Sequence, residues 1–142
     1  SSKTKDDQEN LVRNLIEKEK IDLLVLARYM QILSPEFVAD HHGRIINIHH
    51  GFLPAFKGKS PYRQAWGRGV KMIGATAHYV TADLDEGPNI EQDVVSVNHQ
   101  HSVQEMIQAG RNIERRVLTS AVKAHLQYRI ILDGQRTVIF HT

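Results

Sequence analysis

The sequence contains no cysteine, and aromatic residues make up only 6% of its 142 residues. The lack of cysteine excludes disulfides, thiolate metal sites and a thiol nucleophile, and it fits a reducing compartment, so we expect a cytoplasmic protein. No apolar run approaches the ~20 residues that a membrane span requires. Charge of neither sign dominates, since 18 Lys and Arg oppose 16 Asp and Glu. Neither nucleic acid nor a membrane is therefore an expected partner.

Hydrophobic residues make up 41% of the chain and charged residues 24%, which is typical of a soluble globular protein. The length fits one domain, and we predict a single domain over residues 1–142. Histidine is abundant, with nine residues that fall largely in pairs such as His41-His42, His49-His50 and His99 near His101. This surplus is the first hint of chemistry in the composition.

Hydrophobic patterning alternates between helical and strand-like periods, which predicts an α/β fold with a Rossmann-like, mixed and mainly parallel sheet flanked by helices. Ser34-Pro35 and the capping box of Ser102 with Glu105 predict two helix starts. The other expected elements are a helix through Leu11 and Ile16, a strand over 21–27 covered on both faces, strands over 44–49, 72–80 and 90–97, a helix from Pro61, and a hairpin turning at Asp133-Gly134.

Asn47 and His49 stand two residues apart on a predicted strand, so both side chains should project from one face. If this strand is parallel to its neighbour, His49 lies at the carboxyl end, where open α/β sheets bind ligands. An amide and an imidazole there can stabilise the oxygen of a carbonyl that becomes tetrahedral. The alternative from spacing alone is that Asn47 satisfies backbone groups of the loop and His49 caps the edge of the core.

Asp85 precedes Gly87-Pro88, a turn that would fix its backbone. A carboxylate held beside an imidazole can order a water molecule, although an Asp in this position is more often a turn former, and Asp83 competes for the role. His78 is an unusual polar residue within an apolar strand. It is expected either to be a hydrogen-bonded core residue or to support Asp85 from behind.

The histidine pairs show no zincin spacing, so we predict no metal site.

Several separated motifs together resemble the folate-dependent formyltransferase family. They are Ile46-Asn47-Ile48-His49-His50-Gly51, Leu53-Pro54 with Gly58, Gly74 to Val80, and Leu84-Asp85-Glu86-Gly87-Pro88 with Gln92. The residues of these motifs most resemble those of the family members that hydrolyse 10-formyltetrahydrofolate to tetrahydrofolate and formate, a reaction linked to one-carbon and purine metabolism. The alternatives are formyl transfer to an amine, as in glycinamide ribonucleotide transformylases, and a folate-binding module without catalysis.

The resemblance implies a catalytic trio of Asn47, His49 and Asp85, no metal, and no cofactor besides the folate substrate. It also implies that the pterin binds against two segments, with Met30, Gln31, Ile32, Leu33, Thr81 and Leu84 as substrate-binding residues. Ordinary strand-to-helix packing is the alternative for the first of these segments. Members of the family begin with further strands, so we expect a chain truncated at its amino end, and Gly51 replaces a more usual Ser. Self-association to a homo-oligomer is also expected.

Overall fold

The structure is a computed structural model that describes residues 2–27, 32–50, 61–82 and 87–141. Helices and strands alternate along the chain, which confirms the predicted α/β class. The elements are α1 (Ser2–Lys18), β1 (Leu24–Ala27), α2 (Pro35–Asp40), β2 (Ile45–His50), α3 (Pro61–Arg68), β3 (Met72–Tyr79), β4 (Asn89–Ser96), α4 (Val103–Leu126), β5 (Ile130–Asp133) and β6 (Arg136–Ile139).

The first four strands form one sheet in the order β1-β2-β3-β4, and β5 pairs with β6 in a separate hairpin. The sheet is mixed, as predicted. Among the described strands, however, only β1 and β2 are parallel, whereas β2, β3 and β4 are antiparallel neighbours. The expected excess of parallel pairings is absent from these strands, because β4 returns directly beside β3 instead of crossing over a face of the sheet.

Two helices begin where the sequence predicts. The Ser34 hydroxyl accepts a hydrogen bond from the Phe37 amide over 3.2 Å at the start of α2. At the start of α4, the Ser102 hydroxyl accepts from the Glu105 amide over 3.1 Å, and the Glu105 carboxylate accepts from the Ser102 amide over 3.4 Å. These contacts satisfy amide groups that have no partner within the helix, which fixes both helix starts.

The main core lies between α4 and one face of the sheet. Small side chains on β3 and α4 allow a close approach of the helix to the strands, and larger ones fill the remaining space; the fully enclosed members are Ile46, Ala75, Ala77, Tyr79, Ile113, Val117 and Ala121. A smaller cluster of Ile16, Phe37 and Ile45 packs α1 and α2 against the opposite face. Helices therefore flank both faces, as the α/β prediction requires.

β1 departs from its predicted environment. It was expected to span 21–27 with both faces covered, but it spans Leu24–Ala27 at the edge of the described sheet, and Val25 is 37% exposed. Leu24 and Leu26 pack on the α1 and α2 side. On the other face, α4 packs mainly across β2, β3 and β4, and Val25 of β1 remains partly exposed.

Two further details differ from the sequence prediction. In α1, Val12 and Ile16 pack inward, but Leu11 and Leu15 of the same periodic pattern are 63% and 47% exposed. In the terminal hairpin, Asp133 pairs with Arg136, so the turn consists of residues 134 and 135 and begins one residue later than predicted. Gly134 has a φ of +61°, which favours glycine at the first central position of such a turn.

Within the described ranges, no helix combines the length and the apolar character that crossing a membrane requires.

Candidate active site

The face of the sheet turned away from α4 carries a group of polar side chains. Ile46 packs beneath α4, so strand alternation places Asn47 and His49 on the opposite face of β2. The β2-β3 register sets Asn47 opposite His78 and His49 opposite Thr76. Asn47 and His49 thus each face a polar partner on β3, in two neighbouring rows on this face of the sheet.

His78 forms hydrogen bonds through both ring nitrogens. Its Nδ1 lies 3.0 Å from the carbonyl oxygen of Tyr79, which can only accept, so Nδ1 carries the proton. The Asn47 side-chain nitrogen lies 3.4 Å from Nε2 and can only donate, so Nε2 is the acceptor of this hydrogen bond. This arrangement turns the amide nitrogen of Asn47 towards His78, and it gives a buried histidine a defined tautomer.

The Gly87-Pro88 segment lies directly against Tyr79 and His78. A Cβ atom at Gly87 would fall 1.6 Å from the Tyr79 carbonyl oxygen and 3.3 Å from His78 Nδ1, so only glycine permits this approach. The Tyr79 amide also donates to the Pro88 carbonyl oxygen over 2.9 Å. Gly87 and Pro88 are thereby anchored beside His78 and Tyr79.

Thr76 extends the polar face towards β4. Its hydroxyl accepts a hydrogen bond from the Gln92 side-chain amide over 3.0 Å. Because Thr76 is also the register partner of His49, this contact places an amide group next to the row that contains His49. Thr76 and Gln92 were recognised only as parts of motifs, and no sequence pattern indicated a role for either side chain.

The remaining predicted site residues have varied locations. Asp85, Met30, Gln31 and Leu84 lie outside the described residues. Leu33 packs against the α1 and α2 cluster, which matches the packing alternative, whereas Ile32 is 56% exposed. Thr81 lines a cavity of about 340 Å³ below the terminal hairpin, together with His42, Gly43, Leu132 and Gln135. Among the predicted site residues, Asn47, His49 and His78 lie together on one face of the sheet. His78 and Asn47 are in direct contact.

A buried carboxylate that sequence analysis missed stabilises the entry to α2. Glu9 of α1 accepts hydrogen bonds from both the amide and the hydroxyl of Ser34, over 2.8 and 2.6 Å. The contact joins α1 to the helix cap that follows the predicted pterin-binding segment. Sequence distance hid this pair, because no local pattern links positions that are so far apart along the chain.

Behind the site, Tyr79 points into the main core. Its hydroxyl forms a hydrogen bond of 2.6 Å with His125 Nδ1 on α4. Burial raises the pKa of Tyr79 to about 12, because the phenolate would lose its hydration. Burial also lowers the pKa of His125, since it disfavours the charged imidazolium. Both groups are thus held neutral near pH 7.

In the part of the chain that the structure describes, no three His, Asp or Glu side chains cluster closely enough to hold a metal ion.

The comparisons with known proteins agree with this architecture. The sequence pattern of the formyl transferase family matches residues 1–122. A formyltetrahydrofolate deformylase of Bacillus subtilis is 57% identical over 127 residues, which cover 89% of this chain and 42% of the relative. The chain thus spans a little under half the length of this relative.

Solved structures include both kinds of enzyme that the motifs suggest. A formyltetrahydrofolate deformylase from Burkholderia mallei superposes with a TM-score of 0.92 at 51% identity, covering 99% of this chain and 50% of the other. A phosphoribosylglycinamide formyltransferase from Anaplasma phagocytophilum has a TM-score of 0.82 at 34% identity, covering 93% of this chain and 65% of the other.

Proposed function

The chain belongs to the formyl transferase family, and we propose that it catalyses the hydrolysis of 10-formyltetrahydrofolate to tetrahydrofolate and formate. The observation that carries this proposal is the polar face on which Asn47, His49 and His78 are brought together by the β2-β3 register. The high identity to proteins named formyltetrahydrofolate deformylase supports hydrolysis over the other reactions of the family.

Asn47 and His49 are proposed to stabilise the oxygen of the formyl group. The Asn47 amide nitrogen carries two hydrogens, and His78 accepts one of them. The second hydrogen remains for the substrate, and its direction is fixed because the amide cannot rotate without losing His78. A preorganised donor of this kind stabilises a developing oxyanion by about 3–4 kcal/mol.

Asp85 is proposed to accept a proton from water as the water oxygen attacks the formyl carbon. The tetrahedral adduct then collapses, the bond between the formyl carbon and N10 breaks, and a proton from His49 or a relayed water reaches N10. Formate leaves with the oxygen of the water. Gly87, two residues after Asp85 in the sequence, packs closely against Tyr79 and His78.

Replacing Asp85 by Asn tests this mechanism. The amide cannot accept the proton, so we expect formate release to fall by about two to four orders of magnitude while binding of a folate analogue is largely retained. Asp93→Asn is the matched control, because Asp93 is an exposed carboxylate on β4 that pairs with Arg116. Unchanged turnover in the Asp85→Asn variant would exclude the mechanism.

Transfer of the formyl group to an amine is the second candidate, favoured by the likeness to the Anaplasma phagocytophilum enzyme. Formate release measured with and without amine acceptors separates the two reactions, since an absolute need for an acceptor rules out hydrolysis. Folate binding without any turnover would instead favour a binding module. The single domain, cytoplasmic location, homo-oligomeric state and independence from a cofactor stay predictions.

A further inference from the structure

A second polar cluster lies at the carboxyl end of β2, on the face that packs against α3 and α4. Tyr62 in the first turn of α3 donates through its hydroxyl to Glu114 Oε1 on α4 over 2.8 Å. His50, the last residue of β2, places its Nδ1 3.8 Å from the same oxygen. The side chain of Glu114 is only 14% exposed. One carboxylate oxygen thus links three elements of the fold.

The backbone of α4 is shaped to seat this cluster. A Cβ atom at Gly110 would lie 2.1 Å from the Tyr62 hydroxyl oxygen and 2.2 Å from the ring carbon that bears it. Glycine destabilises a helix interior relative to alanine, so its presence here needs a reason in packing. Gly110 lies one turn before Glu114, so it admits the Tyr62 ring to the position from which the hydroxyl reaches the carboxylate.

The cluster is adjacent to the proposed catalytic histidine. The His50 ring lies 6.0 Å from the His49 ring, between centroids, with the two planes 12° from parallel. The His50 ring is also 5.9 Å from the Tyr62 ring. Because His49 and His50 are consecutive residues at the end of the strand, restraining the second also limits the backbone freedom of the first.

We propose that Glu114 is a positioning residue for His49, acting through His50, with Tyr62 holding the carboxylate in place. A carboxylate attracts a neighbouring imidazole most strongly when the imidazole is protonated. The Glu114 carboxylate is held in place because the Tyr62 hydroxyl donates a hydrogen bond to it. The strand end that contains His49 is thereby held through the neighbouring ring of His50. The proposal rests on the proposed hydrolysis only for the catalytic role of His49.

Glu114→Gln is the main test variant. It keeps the size of the side chain and an oxygen that accepts from Tyr62, but it removes the charge that attracts His50. Because misplacement of a catalytic group by about 1 Å can cost a factor of about 100, we expect kcat to fall roughly 10- to 100-fold. The KM for 10-formyltetrahydrofolate should change less than about threefold, since folate contacts are untouched.

Asp93→Asn is the matched control, because Asp93 also pairs with a residue of α4, Arg116, but lies away from β2. Both kcat and KM should keep their normal values in this variant. Tyr62→Phe should lower kcat in the same direction as Glu114→Gln but less. The double variant Tyr62→Phe with Glu114→Gln should be no worse than Glu114→Gln alone, since the two residues act as one unit.

Nuclear magnetic resonance of the imidazole rings, recorded without substrate, separates this proposal from the proposed function. We expect the His49 ring signals to move in Glu114→Gln and to stay in place in Asp93→Asn. If the His49 signals move in Glu114→Gln but the unsubstituted protein releases no formate, the positioning role is supported and hydrolysis is rejected. Unmoved His49 signals in folded Glu114→Gln, or a kcat loss that follows only the unfolded fraction, would overturn the proposal.

Discussion

The two faces of the sheet differ sharply although the same strands build both. Towards α4, β2 and β3 present Ile46, Ala75 and Ala77, which are completely buried. On the other face, the neighbouring positions Asn47 and His78 form a hydrogen bond. Alternation along β2 and β3 therefore places the main core on one side of the sheet, while Asn47 and His78 lie on the other side, which also carries the smaller cluster beneath α1 and α2.

The difference between the two faces indicates where substitutions should affect stability and where they should affect activity. On the α4 face, stability depends on the close packing of small and branched side chains, which leaves little freedom to change volume. On the polar face, the contacts are directional, and each contributes little to folding but fixes the direction in which a donor points. Adjacent residues of β2 offer the clearest test of this difference.

Within the comparison of the two faces, the largest effect is expected from Asn47→Ala. The substitution removes the proposed donor to the formyl oxygen, so formate release should fall by about 100- to 1000-fold, with a loss of unfolding free energy of only about 1 kcal/mol. Steady-state kinetics and urea denaturation of the same preparation measure both quantities. If stability fell as far as activity, the division between the two faces would be incorrect.

Ile46→Ala is the matching change on the opposite face. Ile46 is fully buried under α4, so the cavity should lower the unfolding free energy by about 2–5 kcal/mol. Activity per folded molecule should stay within a few-fold of its original value at low temperature. A selective loss of kcat in fully folded Ile46→Ala would show instead that the two faces are coupled through the strand.

The smallest effect concerns the alkaline limit of stability. The pKa of Tyr79 is raised to about 12 by burial, whereas an unfolded tyrosine ionises near pH 10. The unfolded state therefore loses its proton first, and stability should fall by at most about 1.4 kcal/mol per pH unit between these two values. Urea titrations at several pH values measure the slope, and Tyr79→Phe should remove this contribution. An identical slope in that variant would assign the pH dependence to other groups.

Local signals in the sequence predicted much of the fold. Serine caps at Ser34 and Ser102 act through neighbouring amides, and they define helix starts correctly. Apolar periodicity located the strands but did not predict their environment. The partial exposure of Val25 depends on where α4 packs, which no local pattern in β1 indicates. The turn of the terminal hairpin was misplaced by one residue, because Asp133 fits the turn or the strand end equally well by composition.

The candidate site was only partly predictable for the same reason. The spacing of Asn47 and His49 identifies their shared face, but no local pattern indicates that His78 meets Asn47, which depends on the β2-β3 register. Glu114 and Tyr62 were not recognised because they are distant in sequence. The one available signal was Gly110, a glycine within a long helix, whose purpose becomes visible only with the Tyr62 ring in place.

The mixed sheet also has a consequence for the order of folding. β3 and β4 pair across a connection short enough to bring His78 and Asn89 together, whereas every register partner of β2 lies further from it along the chain than those two residues lie from each other. Contacts between distant residues form more slowly, so we expect the β3-β4 hairpin to be protected first in a pulsed hydrogen-exchange experiment and β2 last. Partially folded molecules would then lack the strand that contains Asn47 and His49, and catalytic competence would arise only in the final kinetic phase.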